Sequence, residues 1–183
     1  MIKSISAAAA IVAVLATGAS YAQSNPTVGG AAMFEDRTIV ENAVNSPIHT
    51  TLVAAVQAAD LVETLSSAGP FTVFAPVNDA FAALPAGTVE GLLQPESKDQ
   101  LVKVLTAHVV AGDLSGGELL RDVQAAGGEL ELTTVSGDTL TVVESGNGLA
   151  VRDENGGMAI ITTADVDQSN GVIHVIDAVL LPN

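Results

Sequence analysis

The chain has 183 residues with 6 basic against 21 acidic side chains, and it contains no cysteine or tryptophan. That length suits one ordinary domain with a sizeable core. A formal net charge of −15 repels nucleic acid and anionic lipid, and the missing thiols exclude disulfides, thiol nucleophiles and thiolate metal sites.

Residues 1–22 stand apart from the rest. Lys3 precedes an apolar run from Ala7 to Ala16, and Ser20 and Ala22 form an A-x-A-like site. This is the pattern of a secretory signal peptide, with cleavage expected after Ala22. The run is about half the ~20 residues that a spanning helix needs. Cleavage removes Lys3, taking the net charge from −15 to −16, and it removes the only tyrosine, Tyr21. The mature chain then has neither Tyr nor Trp to stack on bases. It is expected to be extracytoplasmic, periplasmic or secreted, with no membrane insertion after cleavage.

Residues 23–36, "QSNPTVGGAAMFED", lack periodicity and read as a flexible leader. A domain over 37–183 follows. Thr38 and Glu41 stand in a capping-box relation. Ser46-Pro47 reads as a cap and first-turn pair for a helix whose apolar face is Ile48, Leu52, Ala55, Val56, Ala59 and Val62. Asp60 and Glu63 offer a restart near Leu61. "FTVFA" (71–75) has strand composition, and Pro76 should end its pairing. Asn78 suits the N-cap of a short helix, with Asp79 in its first turn. Thr88 can cap "VEGLL", and Ser97 with Gln100 can box the helix "KDQLVKVLTAH", whose Leu101, Leu105 and His108 share one face. Ser115 and Glu118 can open another helix. Beyond residue 127 come short β-runs, ending in "GVIHVIDAVLL" and separated by Gly- and Asn-Gly-containing turns. The last run is nearly all apolar, as a strand buried on both faces would be. Helices first and a β-meander afterwards predict an α+β fold.

Candidate chemistry is sparse. There is no G-x-S-x-G elbow. His49, His108 and His174 have no serine at a recognisable spacing. His174 and Asp177, three apart on one strand, point to opposite faces. The helical face that His108 shares with leucines favours a buried scaffold histidine. "DVDQSNGVIHVID" places Asp165, Asp167 and Ser169 at calcium-loop positions, but Asn170 and Ile176 stand where such a loop needs Gly and Glu. "DENGG" from Asp153 departs sooner. No metal and no cofactor is expected, and Asn78 and Asp79 read as residues that end a strand and start a helix.

Three ordered segments resemble a known family. "FTVFAPVNDAFAALP", with Phe74, Pro76 and Asn78, looks like the first signature of the fasciclin domain. "NGVIHVIDAVLLP" (170–182), with His174 and Asp177, matches the second. "VLTAHVVAG" resembles the tyrosine-histidine segment, with His108 at the histidine position and Ala107 where the tyrosine would be. The likeness covers about residues 37–183, in the style of single-domain bacterial exported proteins that include the secreted mycobacterial antigens. It implies a β-wedge wrapped by N-terminal helices, no enzymatic activity, and a role in cell adhesion or in contact with a surface protein or matrix component. In animal matrix proteins an Asp-Ile pair before the second signature is assigned to integrin recognition. Here Asp165-Val166 aligns with it, making this pair the adhesion candidate, and there is no RGD. Some members bind carotenoids, so the alternative is a carrier of a small apolar ligand such as a carotenoid or lipid.

Overall fold

A computed structural model describes residues 25–182 apart from Asn147; the expected signal peptide, its cleavage site and Tyr21 lie outside the described residues. Three short helices come first: α1 (Ile39–Asn45), α2 (Thr50–Ala58) and α3 (Val62–Leu65). The capping box at α1 forms as its spacing predicts, with the Glu41 carboxylate accepting from the Thr38 N–H at 2.8 Å. Ser46, expected to cap the second helix, instead closes α1. Its hydroxyl is bonded to His49 Nδ1 at 2.8 Å, and α2 begins only at Thr50. Leu52, Ala55, Val56 and Ala59 are buried, as the periodicity requires. The helix does restart beyond Ala59, but through Asp60 at φ 56° and not through a side-chain cap.

The strand β1 (Phe71–Pro76) leads into α4 (Asn78–Ala82) and α5 (Thr88–Leu92). Next come a 3-10 turn (Pro95–Ser97), α6 (Lys98–Ala107), β2 (Val109–Ala111) and α7 (Gly116–Ala125). Two expected caps are absent. The N-cap position of α5 is Gly87 at φ 86°, not Thr88. Ser97 precedes α6 but sits inside the 3-10 turn at φ −101°, ψ 10°, away from the extended backbone from which a cap reaches forward. The Ser115–Glu118 box opens α7 as expected.

Five strands complete the chain: β3 (Glu129–Thr133), β4 (Thr139–Ser145), β5 (Gly148–Arg152), β6 (Met158–Gln168) and β7 (Gly171–Ile176). The seven strands lie in the order β2-β1-β7-β6-β5-β4-β3, with β1 and β7 parallel and every other pair antiparallel. β6 is shared: Ala159 pairs with Val151 of β5, whereas Val166 pairs with Ile173 of β7. Irregularities at Ile161–Thr163 and Thr163–Val166 bend it between the two partners, as bulges do. The far edge then folds back onto β2, where Val135 N–H meets Val109 O at 2.8 Å. The result is a nearly closed wedge, and the fold is α+β.

Alternation along the central strands makes two cores. Val73, Ala75, Ile173 and Val175 face the helices α1–α6. Phe74 and Ile176 face the wedge interior with Leu119, Val123, Leu140 and Val142. β7 is buried at every position, as the apolar run predicts, although the strand stops at Ile176 short of the expected Leu181. Gly171 is needed at the start of β7. Its φ is 150°, and a Cβ there would run into the Phe71 carbonyl.

From Asn25 on, the stretch expected to be a flexible leader lies against the domain as a strap. Val28 and Met33 are buried in the first core, and a turn closes between Val28 and Ala31 on backbone bonds of 2.9 and 3.0 Å. Ala31 packs beside them, and three such irregularly spaced side chains leave no periodicity to mark the segment in the sequence.

Candidate functional site

The first signature is built into the scaffold. Phe74 is fully buried and packs on the His174 ring, centroids 5.7 Å apart. Pro76 pairs in register with Ile176 and ends β1, as expected. Asn78 caps a helix, but not its own. Its Oδ1 accepts from the Thr51 N–H at 3.0 Å and from the Thr50 hydroxyl at 3.2 Å, and its Nδ2 donates to Pro47 O at 3.1 Å. It therefore satisfies the free N-terminus of α2, where the N-cap residue His49 supplies no side-chain bond. At α4 the cap position is Val77, also without a side-chain bond. The chain leaving β1 runs beside α2, and that proximity redirects the asparagine.

His108 is buried at the end of α6. Its Nδ1 donates to Val104 O at 2.8 Å and its Nε2 accepts from the Leu180 N–H at 3.0 Å, the neutral tautomer. Burial lowers its pKa to about 4, against the Val104 carbonyl and the Asp153 charge. His174 is also fully buried and neutral. Its Nε2 donates to Leu114 O at 2.8 Å, and its Nδ1 accepts from the Asp165 N–H at 3.4 Å. Burial lowers its pKa as well, opposed by the Leu114 carbonyl and by Asp165, Asp113 and Asp167. Asp177 lies just past β7, exposed, and its carboxylate accepts from the Ile160 N–H at 2.7 Å. His174 and Asp177 do not meet.

Asp165 and Val166 separate at the bulge in β6. Val166 is 0% exposed and belongs to the first core, so the two side chains of the adhesion candidate do not share one surface. Asp165 is exposed, at φ 56°, and its Oδ1 accepts from the Gly116 N–H, the first residue of α7, at 2.6 Å. The unpaired residue of the bulge turns outward, and the next returns to the ladder facing in. Asp167 nearby has its pKa raised, first by burial and then by Asp165, Glu35 and Asp113. Among the described residues, no group of three or more His, Asp or Glu side chains is arranged to hold a metal ion.

Three buried polar residues were not singled out from the sequence for what they do. Asn170 accepts from the Ile39 N–H at 3.0 Å and donates to Leu65 O and Ser67 O at 2.8 and 2.9 Å, stitching α1 and α3 to the β6–β7 turn. Asn42 bonds both backbone groups of Phe34 and the side chain of Gln168. Asp153 accepts from the N–H groups of Asn155, Gly157 and Leu181, which explains "DENGG" as a closed turn. An Asn before Gly reads as a turn, and only tertiary contacts reveal the rest. The first core also contains a cavity of about 50 Å3 lined mainly by apolar side chains, with Ser46, His49, Gln57 and His108 among them. That volume does not accommodate a long polyene.

Residues 47–182 match the family model described as Fasciclin domain. The chain belongs to this family. The fasciclin domain accounts for the three ordered segments and for the wedge. Protein sll1483 of Synechocystis sp. is 51% identical over 160 residues, covering 87% of this chain and 82% of that protein. Immunogenic protein MPB70 of Mycobacterium bovis is 37% identical over 171 residues, 90% of this chain and 79% of that one. In fold the chain is similar to a FAS1 domain pair from the insect cell adhesion molecule fasciclin I. The TM-score is 0.69 at 21% identity, over 79% of this chain and 51% of the pair. Among the described residues no helix is long and apolar enough to cross a membrane.

Proposed function

We propose that this fasciclin-domain protein is non-enzymatic, exported, and acts in cell adhesion or surface interaction with a surface protein or matrix component. Membership of the fasciclin family carries the reading, supported by the fold it shares with a cell adhesion molecule. The histidines of the tyrosine-histidine segment and of the second signature agree with it. His108 and His174 spend both ring nitrogens on backbone groups, leaving neither free to activate a nucleophile. Export rests on the signal-peptide pattern of residues 1–22.

Recognition is assigned to the outward face of the β6 bulge, with Asp165 as the contacting group and Val166 as the side chain that anchors the bulge from inside. A carboxylate held by the Gly116 N–H and by its own N–H to His174 has little freedom left to lose on binding. Asp165→Asn keeps an oxygen for Gly116 and removes only the charge. Beads carrying this variant should attach to cells several-fold less than wild type at equal surface density, with the melting temperature nearly unchanged. Equal attachment would remove Asp165 from the function.

A further inference from the structure

We propose that the β6 bulge is a proton-operated switch: when His174 takes up a proton, the Asp165 carboxylate leaves the Gly116 N–H and turns inward onto the ring, so that the outward face loses its charge. The proposal rests on the reading of Asp165 as the recognition group and adds its regulation. Between the pairs Thr163–Val175 and Val166–Ile173, β6 places two residues, Ala164 and Asp165, against one residue of β7, His174. Asp165 sits there at φ 56°, a conformation uncommon for residues with a side chain. Two bonds outside the ladder hold it. Its N–H donates to His174 Nδ1 at 3.4 Å, and its Oδ1 accepts from the Gly116 N–H at 2.6 Å.

The first of these bonds needs a neutral ring. His174 Nε2 is committed as a donor to Leu114 O at 2.8 Å, so Nδ1 carries the lone pair that receives the Asp165 N–H. A proton arriving from solvent has only Nδ1 to occupy. The ring then has two donors and no acceptor, and the Asp165 N–H faces another N–H. The imidazolium is fully buried, so it needs both an acceptor and a counter-charge. Phe74 of β1, which packs on the ring, offers neither.

The charges that act on the ring are the carboxylates of Asp165, Asp113 and Asp167, in decreasing order. Asp113 precedes Leu114, whose carbonyl holds the opposite edge of the ring. Asp167 stands in the ladder across from Val172, with both backbone groups bonded to Asn25. Asp165 is beside Nδ1 through its own N–H and has no ladder pairing to give up, so its side chain is the one that turns. Burial opposes the protonation and lowers the His174 pKa. The carboxylate therefore faces outward at neutral pH and is withdrawn on the acid side.

Titration of the 15N-labelled protein from about pH 7 to about pH 4, with the His174 ring and the amides followed by NMR, tests the switch. The Gly116 amide should move upfield with the His174 midpoint, because it loses a carboxylate acceptor. Asp165→Gly suits the positive φ and removes the carboxylate. In this variant His174 should still titrate, with a proton affinity at least about threefold lower, and Gly116 should no longer follow it. Attachment of wild-type beads to cells should fall several-fold below the midpoint and recover on return to neutral pH. The switch is overturned if Gly116 does not follow His174, if it follows equally in Asp165→Gly, if the chain unfolds before His174 titrates, or if Asp165-dependent attachment is unchanged across the midpoint. Attachment of Asp165→Asn at neutral pH judges the recognition reading separately: equality with wild type would sink that reading, while the amide titration still decides the switch.

Discussion

Acidifying the protein from about pH 7 to about pH 5 should weaken the fold through His108, and the size of the loss follows from its surroundings. The ring is buried, donates to Val104 O and accepts from the Leu180 N–H. A proton on Nε2 would place two donors face to face and a charge out of water. Burial accordingly lowers the folded pKa to about 4, with the Val104 carbonyl and Asp153 opposing, whereas an unfolded histidine titrates near 6.5. The unfolded chain therefore takes up the proton first. The contribution is complete above about pH 6.5 and is lost as the pH falls from there towards 4. Linkage gives about 2 kcal/mol lost between pH 7 and 5, and about 3 kcal/mol by pH 4.

Burial also lowers the pKa of His49 and His174, so both add to the same slope. Asp167 opposes it, because its raised pKa lets the folded state hold a proton that the unfolded state has released. Glu41 and Glu118, lowered by their Thr38 and Ser115 caps, act only at more acidic pH. A difference measurement isolates His108. Denaturant unfolding of wild type and His108→Gln should be followed at about pH 7, 6 and 5. Glutamine can still present an oxygen to Leu180 but does not titrate, so the variant should lose about 2 kcal/mol less than wild type over this range. Equal losses in the two proteins would refute the assignment of a buried, neutral His108.

Two other residues have measurable roles. Asn78→Ala should lower stability by about 1 kcal/mol, the usual effect of removing an N-cap, while Asn78→Asp, which keeps the acceptor for Thr51, should cost less; equal melts for all three would mean that the α2 cap is idle. Asn25→Ala should speed hydrogen exchange in the strap and at the Asp167 amide, with little change in the melt, and unchanged exchange would show that Asn25 is not what holds the strap.

The sequence was most legible where local chemistry decides the outcome. The capping boxes at Thr38–Glu41 and Ser115–Glu118 are found as their spacing predicts, because both partners lie within four residues. The strand at 71–76 and the doubly buried β7 follow from composition and apolar run length. Reading failed where a distant segment competes for the same group. Ser46 is taken by His49, Asn78 is taken by α2, and Asp165 is parted from Val166 by a bulge that no alternation announces. The bonding roles of Asn42 and Asn170 were not legible, because their partners, backbone groups of the strap, α1 and α3 and the Gln168 side chain, come together only in the fold.

These failures share a cause. The domain has no disulfide, and long irregular connections lead its chain in and out of the wedge. Buried amides, imidazoles and one carboxylate bond the backbone of those connections: Asn42 the strap, Asn170 the ends of α1 and α3, His108 and Asp153 the C-terminal stretch at Leu180 and Leu181. Removing one such group strands its buried partners, so each of these side chains ties a distant stretch of backbone to the wedge.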